Sequence, residues 1–157
     1  MAERPEPADG ELVLAVVARD DRAAFALLVR RHQSMVRSVL RRLAKGDHGL
    51  ADDLAQETFL SAWRNLASFR HDARFSTWLY RIAFNAWLSE ARKRREVLLD
   101  DPGEAPVTEL ADPKLPDPAR LDLERAVASL PDGERAAIAA CYYADLTHEE
   151  AAKALGI

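Results

Sequence analysis

Between residues 9 and 95, apolar residues recur at three- and four-residue steps, and no strand-like alternation lasts longer than a few residues. That period is helical, so this stretch can bury a continuous stripe only as helices packed on one another. Leu12, Val13, Val16 and Val17 mark a short first helix. Asp20-Asp21 then offers an N-cap to a second, whose inward positions are Phe25, Leu28, Val29, His32, Val36, Val39, Leu40 and Leu43. Arg41, Arg42 and Lys45 suit the negative end of that helix, and Gly46 stops it. A third helix is expected over about 50–67 and a fourth over about 75–95, joined by the loop 68–74.

Composition changes after Arg95. Residues 96–119 hold five prolines and no aromatic residue, with Asp100, Asp101, Glu104, Glu109, Asp112 and Asp117 among them. Such a segment cannot bury enough surface to offset the ~1–2 kcal/mol of backbone entropy lost per ordered residue. It reads as an extended acidic linker over 96–118. Helices resume at about 119–130, and another begins near Glu134, covering Ile138, Cys141 and Tyr142. Thr147-x-x-Glu150 has the spacing of a capping box, and the short helix it opens ends at Gly156. A short helix, a glycine turn and an aliphatic residue open a helix-turn-helix. Its second helix, the one that enters the major groove, is expected beyond Ile157, so this part reads as a truncated helix-turn-helix. The expected fold is all-α: two small helical domains, 1–95 and 119–157, on either side of the linker.

The net charge of −4 conceals an asymmetry. Residues 1–95 carry 17 Lys+Arg against 12 Asp+Glu, a net of +5, whereas residues 96–157 carry 5 against 14, a net of −9. A basic front part attracts phosphates and an acidic back part repels them. No apolar run approaches the ~20 residues that span a bilayer, and the N-terminus lacks the apolar stretch of a signal peptide, so a cytoplasmic location is expected. One cysteine, Cys141, excludes an intrachain disulfide and a cysteine-based zinc site. The four histidines have no metal-ligand spacing, and no nucleophile motif, carboxylate pair or phosphate loop stands out. Neither catalysis nor a cofactor is expected.

The densest stretch runs from Phe69 to Arg95. There Phe75, Trp78, Tyr80, Phe84 and Trp87 alternate with Arg74, Arg81 and the run Arg92-Lys93-Arg94-Arg95. Leu79, Ile82, Ala83 and Ala86 can form a narrow buried seam that does not take every aromatic. Aromatics left exposed beside cations suit single-stranded nucleic acid, since bases stack at roughly 1–3 kcal/mol each. Completing a small core is an equal alternative on periodicity alone. On the third helix, Leu54, Thr58, Phe59, Ala62 and Leu66 can face inward. Asp53, Gln56, Glu57, Leu60 and Arg64 share another face, which reads as solvated surface or as a docking face.

Ser76-Thr77-Trp78-Leu79-Tyr80-Arg81-Ile82-Ala83-Phe84-Asn85, preceded by Asp52-Asp53-Leu54-Ala55-Gln56-Glu57-Thr58-Phe59-Leu60-Ser61-Ala62-Trp63-Arg64, resembles the compact sigma factors of the extracytoplasmic-function group. Leu130-Pro131 to Glu134-Arg135, then Leu146-Thr147 through Glu149-Glu150-Ala151-Ala152 to Leu155-Gly156-Ile157, resembles their second domain in the same order. The resemblance covers nearly the whole chain. It implies that Asp53, Gln56, Glu57, Leu60 and Arg64, with Trp63 at the edge, dock on core RNA polymerase. It also implies a pocket for a flipped −10 promoter base, with Phe69, Ile82 and Asn85 matching by position and Arg70, His71, Asp72 and Arg74 as loop residues that tune base choice. Arg81, Arg92, Lys93, Arg94 and Arg95 would contact phosphates. Promoter DNA, core polymerase and an anti-sigma factor are the implied partners, without membrane insertion. The linker would thread the polymerase toward its cleft, although a plain tether has the same composition. Where the family often carries an acidic residue four positions after the asparagine, this chain has Ser89. A chain lacking the −35 recognition helix is expected to show little −35 selectivity, and a polymerase-binding fragment unable to initiate is the alternative reading.

Overall fold

The computed structural model describes residues 4–100 and 118–157. Among these, seven α-helices follow one another: α1 Asp9–Arg19, α2 Arg22–Leu43, α3 His48–Asn65, α4 Phe75–Asp100, α5 Pro118–Ala128, α6 Asp132–Ile138 and α7 His148–Leu155. A single 3₁₀ turn, Leu66–Ser68, follows α3, and a π-helical turn, Ala139–Tyr143, follows α6.

The helix starts are set by side chains that replace missing backbone partners. Asp21 accepts from the Ala24 amide at 3.1 Å and Asp47 from the Leu50 amide at 3.0 Å. Thr147 and Glu150 close both halves of a capping box, at 3.2 Å to the Glu150 amide and 2.8 Å from the Thr147 amide. Gly156 ends α7 at φ +73°, a left-handed conformation that costs glycine nothing.

Helices α1 to α4 pack around Val13, Leu28, Val36, Val39, Leu40 and Leu43 of α1 and α2, which meet Ala51, Leu54, Ala62 and Leu79 of α3 and α4. Each fully buried leucine or valine removes enough surface from water for ~1.5–3 kcal/mol. Leu54, Thr58, Ala62 and Leu66 are buried as the spacing predicts, and Phe59 is half-buried. Thr58 satisfies its hydroxyl internally, donating to the Leu54 carbonyl at 2.7 Å.

One expectation is corrected, at both ends of the expected linker. The fourth helix does not stop at Arg95: Glu96 to Asp100, assigned to the linker, continue α4. Glu, Val, Leu, Leu and Asp carry no helix breaker, and the prolines begin only at Pro102. At the other end, Pro118 is the first residue of α5, a position where its missing N–H costs nothing. The remainder of the expected linker, 101–117, lies outside the described residues.

Of the two readings left open for the aromatics of α4, the structure takes the core. Tyr80, Phe75 and Trp87 are buried, while Trp78 and Phe84 are half-buried. The seam of α4 is too narrow to cover them, as its period implies, but α6, the π turn and α7 supply the missing cover. Ala136, Ala139, Ala140, Ala144, Leu146 and Ala151 join the same apolar cluster as Leu79, Tyr80, Ala83 and Trp87. Alanines let the two helical groups approach closely. The π turn is visible in the hydrogen bond from the Ala144 amide to the Ala139 carbonyl five residues back (3.2 Å), and the Leu146 amide closes its end on the Ala140 carbonyl (3.1 Å). It leaves Tyr142 82% exposed and Cys141 half-buried against the core.

Candidate nucleic-acid and polymerase interface

The loop between α3 and α4 is built around Phe69. Its ring is buried and meets His71 at 4.6 Å, Trp78 at 5.5 Å and Phe75 at 5.7 Å between centroids. Rings at these separations hold one another by edge and tilted contacts, which fixes the base of the loop. His71 takes a left-handed backbone at φ +61°, so the chain turns sharply and leaves Arg70, Asp72 and Arg74 exposed.

Helix α1 closes one side of this loop. Asp9 binds Arg31 Nη1 at 2.7 Å and His32 Nε2 at 2.9 Å, which ties the start of α1 to α2. A side chain at Gly10 would come within 3.5 Å of the His71 ring. Asp9, Gly10, Phe69, His71, Arg74 and Phe75 line an open cavity of about 430 Å³. Asp9 and Gly10 were not singled out by sequence; nothing in the local pattern of α1 shows that it lies against a loop 60 residues later.

Ile82 and Asn85 do not share that cavity. They line a larger groove of about 730 Å³ between α3 and α4, together with Asp53, Glu57, Ser89, Lys93 and Arg94. The expected trio of Phe69, Ile82 and Asn85 is therefore divided, with the aromatic wall on the loop side and the exposed amide on the groove side. The groove has mixed charge. Arg94 binds Glu90 at 3.3 Å one helical turn earlier, and Ser89 leaves the position after it to that glutamate.

The face of α3 expected to dock is uncovered: Asp53, Gln56, Glu57 and Arg64 are exposed and Leu60 is 50% exposed. Trp63 is half-buried, with its ring edge-on to Phe25 at 4.9 Å, so it supports this face from behind. Arg81, Arg92, Lys93, Arg94 and Arg95 are all exposed along α4. Arg95 reaches Asp132 of α6 at 3.1 Å.

Arg74 is exposed but engaged. Its guanidinium meets both carboxylate oxygens of Glu150, at 3.0 and 2.8 Å, and the Asp145 carbonyl at 2.8 Å. Thr77 Oγ1 lies 3.5 Å from the same carboxylate. This pairing, with the Thr147 amide, lowers the Glu150 carboxyl to about 2, and it raises Arg74 above its ordinary range. Deeper in, Tyr80 donates to the Ala136 carbonyl at 2.9 Å. Arg135, 1% exposed, donates to the carbonyls of Leu130 (2.8 Å) and Leu43 (3.4 Å) and to Asp132 (2.7 Å). Sequence marks Glu150 only as a cap and motif residue and Arg135 only within a motif, since long-range partners leave no local period.

Residues 28–97 match the family model described as Sigma-70 region 2, and residues 120–157 match Sigma-70, region 4. The ECF RNA polymerase sigma factor SigM of Mycobacterium tuberculosis is 35% identical, aligned over 98% of this chain and 76% of its own length. This chain belongs to the ECF sigma factors. SigW of Bacillus subtilis is 33% identical over 90% of this chain and 82% of its own. Two solved structures are similar. CnrH, in complex with the cytosolic domain of CnrY, has a TM-score of 0.69 and 27% identity, over 96% of this chain and 84% of that one. The sigma factor RpoE of Bartonella quintana, in complex with the anti-sigma factor NepR, has a TM-score of 0.74 and 26% identity, over 84% and 82%. As an ECF sigma factor, the chain directs RNA polymerase to promoters. Its exposed α3 face, aromatic loop and basic α4 lie within the part that matches region 2. Among the described residues, no helix is long and apolar enough to cross a membrane.

Proposed function

We propose that this sigma factor grips core polymerase through Asp53, Gln56, Glu57, Leu60 and Arg64, and captures a −10 base at the loop 69–74. Leu60 carries the docking reading: a leucine half open to solvent, ringed by charged residues, on a helix whose other leucines are buried (Leu54) or half-buried (Leu50). An apolar anchor within a charged rim is the arrangement that protein partners use. The melted strand then runs from the Phe69 cluster along α4, with Asn85 at base edges and Arg81, Arg92, Lys93, Arg94 and Arg95 at phosphates. Unstacking one base costs a few kcal/mol, which pocket contacts and the polymerase together offset.

We take the helices up to Asp100 as the polymerase and −10 module and those from Pro118 onward as the −35 module, acting in the cytoplasm by binding rather than catalysis. An anti-sigma partner fits the apolar residues that this surface leaves uncovered, among them Val97 and Leu99 at the end of α4.

Co-elution with core polymerase tests the reading. The parent should co-elute at moderate salt and a Leu60→Ala, Glu57→Ala double variant should not. Equal co-elution of both would remove α3 from the docking surface.

A further inference from the structure

Helix α2 carries six arginines and no aspartate or glutamate in its 22 residues. Two of the six are neutralised by other parts of the fold, Arg31 by Asp9 at 2.7 Å and Arg42 by Glu124 at 3.2 Å. Arg30, Arg37 and Arg41 are exposed, and their side chains have no hydrogen-bond or ion-pair partner among the described residues. At 3.6 residues per turn these three fall within about 40° of one another, on the side of α2 opposite the buried Leu28, Val39 and Leu43. They span about 16 Å of helix. Lys45, also exposed and unpaired, follows just past the last turn.

The negative C-terminal end of α2 accounts for Arg41 and Lys45, but its pull fades within one turn and does not reach Arg30 or Arg37. The fold gains nothing from the row. Arg37 and Arg41 are like charges four residues apart, an arrangement that destabilises a helix. A straight file of uncompensated cations is a surface for an anionic partner.

The residues between the cations decide which anion fits. Ser34 is the exposed residue between Arg30 and Arg37, and the face continues toward the N-terminus as Ala26 and Ala23. A serine hydroxyl donates readily to a phosphate oxygen. The exposed residues of α2 include no aromatic ring on which an unstacked base could rest, and no side-chain amide to read a base edge. A stiff rod of phosphates suits such a face better than a single strand, and duplex DNA carries one charge per ~1.7 Å of its axis.

We propose that the outer face of α2 is a backbone track for duplex DNA: Arg30, Arg37 and Arg41, with Lys45 at the end, contact phosphates and read no sequence. The track is distinct from the basic residues of α4 and depends on neither the docking nor the strand assignment above. It points away from the core that α2 shares with α3 and α4. Base pairs beside an opened segment are thereby held while the loop and α4 engage the melted strand.

The test uses the full chain, alone and with core polymerase, a fluorescein-labelled DNA duplex of random sequence, a second duplex of unrelated sequence, and one strand of the first. The variant Arg30→Gln, Arg37→Gln removes the two charges that the helix end does not explain, with a residue that keeps helix propensity. At about 0.1 M salt it should bind either duplex roughly three- to tenfold more weakly than the parent, and the slope of log affinity against log salt should fall by about 2. The control Arg19→Gln, Arg22→Gln removes equal charge from exposed arginines at the turn between α1 and α2, off this face, and should show less than half the loss. Binding of the single strand and co-elution with polymerase should stay within about twofold of the parent. The urea midpoint of the track variant should not fall.

Equal duplex binding by parent and track variant, including none by either, overturns the track. An equal loss in the control overturns it too, since the effect is then general charge. A loss as large on the single strand places these arginines on the melted strand, and a loss on one duplex alone means that sequence is read; either outcome overturns the assignment. Weaker co-elution of the track variant with polymerase would make the face a contact for acidic protein instead. If the parent itself does not bind polymerase, the docking reading fails, and the duplex comparison on the free chain still decides the track.

Discussion

The Tyr80 hydroxyl donates to the main-chain carbonyl of Ala136 at 2.9 Å, across 56 residues of sequence. Both residues are fully buried, so this bond lies inside the seam between α4 and α6 and has no water to replace it. Burial pushes the phenol above its ordinary range, which keeps it protonated and donating. Tyr80→Phe should cost about 1–2 kcal/mol, read as a lower urea midpoint with an unchanged slope. The protonated form is favoured in the folded state, so this contribution is complete below about pH 10 and fades only as pH rises through the raised folded value. A stability profile that loses the parent's advantage over Tyr80→Phe at neutral pH would contradict the assignment.

Among the described residues Arg135 is the most buried charged side chain, and its guanidinium lies 5.7 Å from the Trp87 ring centroid. Arg135→Ala removes donors from the Leu43 and Leu130 carbonyls and leaves a void beneath Trp87. The expected loss is about 3 kcal/mol, measured as chemical denaturation of the whole chain. Arg135→Lys should recover less than half of it, because an ammonium cannot reproduce the planar fork that reaches three acceptors.

Asn85 and Phe69 should separate by phenotype. Asn85 is exposed, so Asn85→Ala should change stability by less than about 0.5 kcal/mol. Its effect should appear in the polymerase complex, as a roughly tenfold weaker grip on a pre-melted −10 bubble, equivalent to one lost base-edge contact. Phe69 is buried among three rings, and Phe69→Ala should cost about 3–4 kcal/mol before any DNA is added. Equal stability losses in the two variants would refute the division of the expected pocket into a buried aromatic side and an exposed amide side.

Glu150 titrates far below the pH of a cell. With its carboxyl lowered to about 2 from 4.5, its contribution is complete above pH 4.5 and is lost as pH falls toward 2. Chemical-shift titration of the Glu150 side-chain carboxyl should therefore be flat from about pH 8 down to about pH 5. Salt should act where pH does not. Arg74 is half exposed, and raising ionic strength shortens the reach of its attraction, to roughly 3 Å at 1 M. A midpoint near 4.5 would mean that the pair does not persist in solution.

Helix type and inward faces were legible because each is a local matter of period and cap. Asp21 and the Thr147–Glu150 box act as their spacing implies, and so does the face of α3 that holds Leu54, Thr58 and Ala62. The end of α4 is not legible there because the prolines and acids from Asp101 onward dominate the composition of 96–119, whereas Glu96–Asp100 themselves contain no breaker. The fate of Tyr80 and Trp87 could not be read from α4, since their cover is contributed by Ala136, Ala139 and Ala140. The separation of Phe69 from Asn85 is a matter of rotation about α4 and of the loop's path, to which a positional match is blind. Arg135 stands within the motif that resembles the family's second domain, but its burial depends on the Leu43 carbonyl 92 residues away.

The alanines facing α4 have a further consequence. Ala136, Ala139, Ala140, Ala144 and Ala151 are each at most 4% exposed, yet none has a side-chain rotamer to freeze on closing or to recover on parting. Each methyl itself removes little apolar area from water, so most of the apolar area buried at the seam belongs to Tyr80 and Trp87 of α4. The geometry of the seam is dictated instead by a few directional contacts at Tyr80, Arg135 and Arg74. Enlarging any one alanine, Ala140→Leu for instance, should wedge the halves apart while each keeps its own helices.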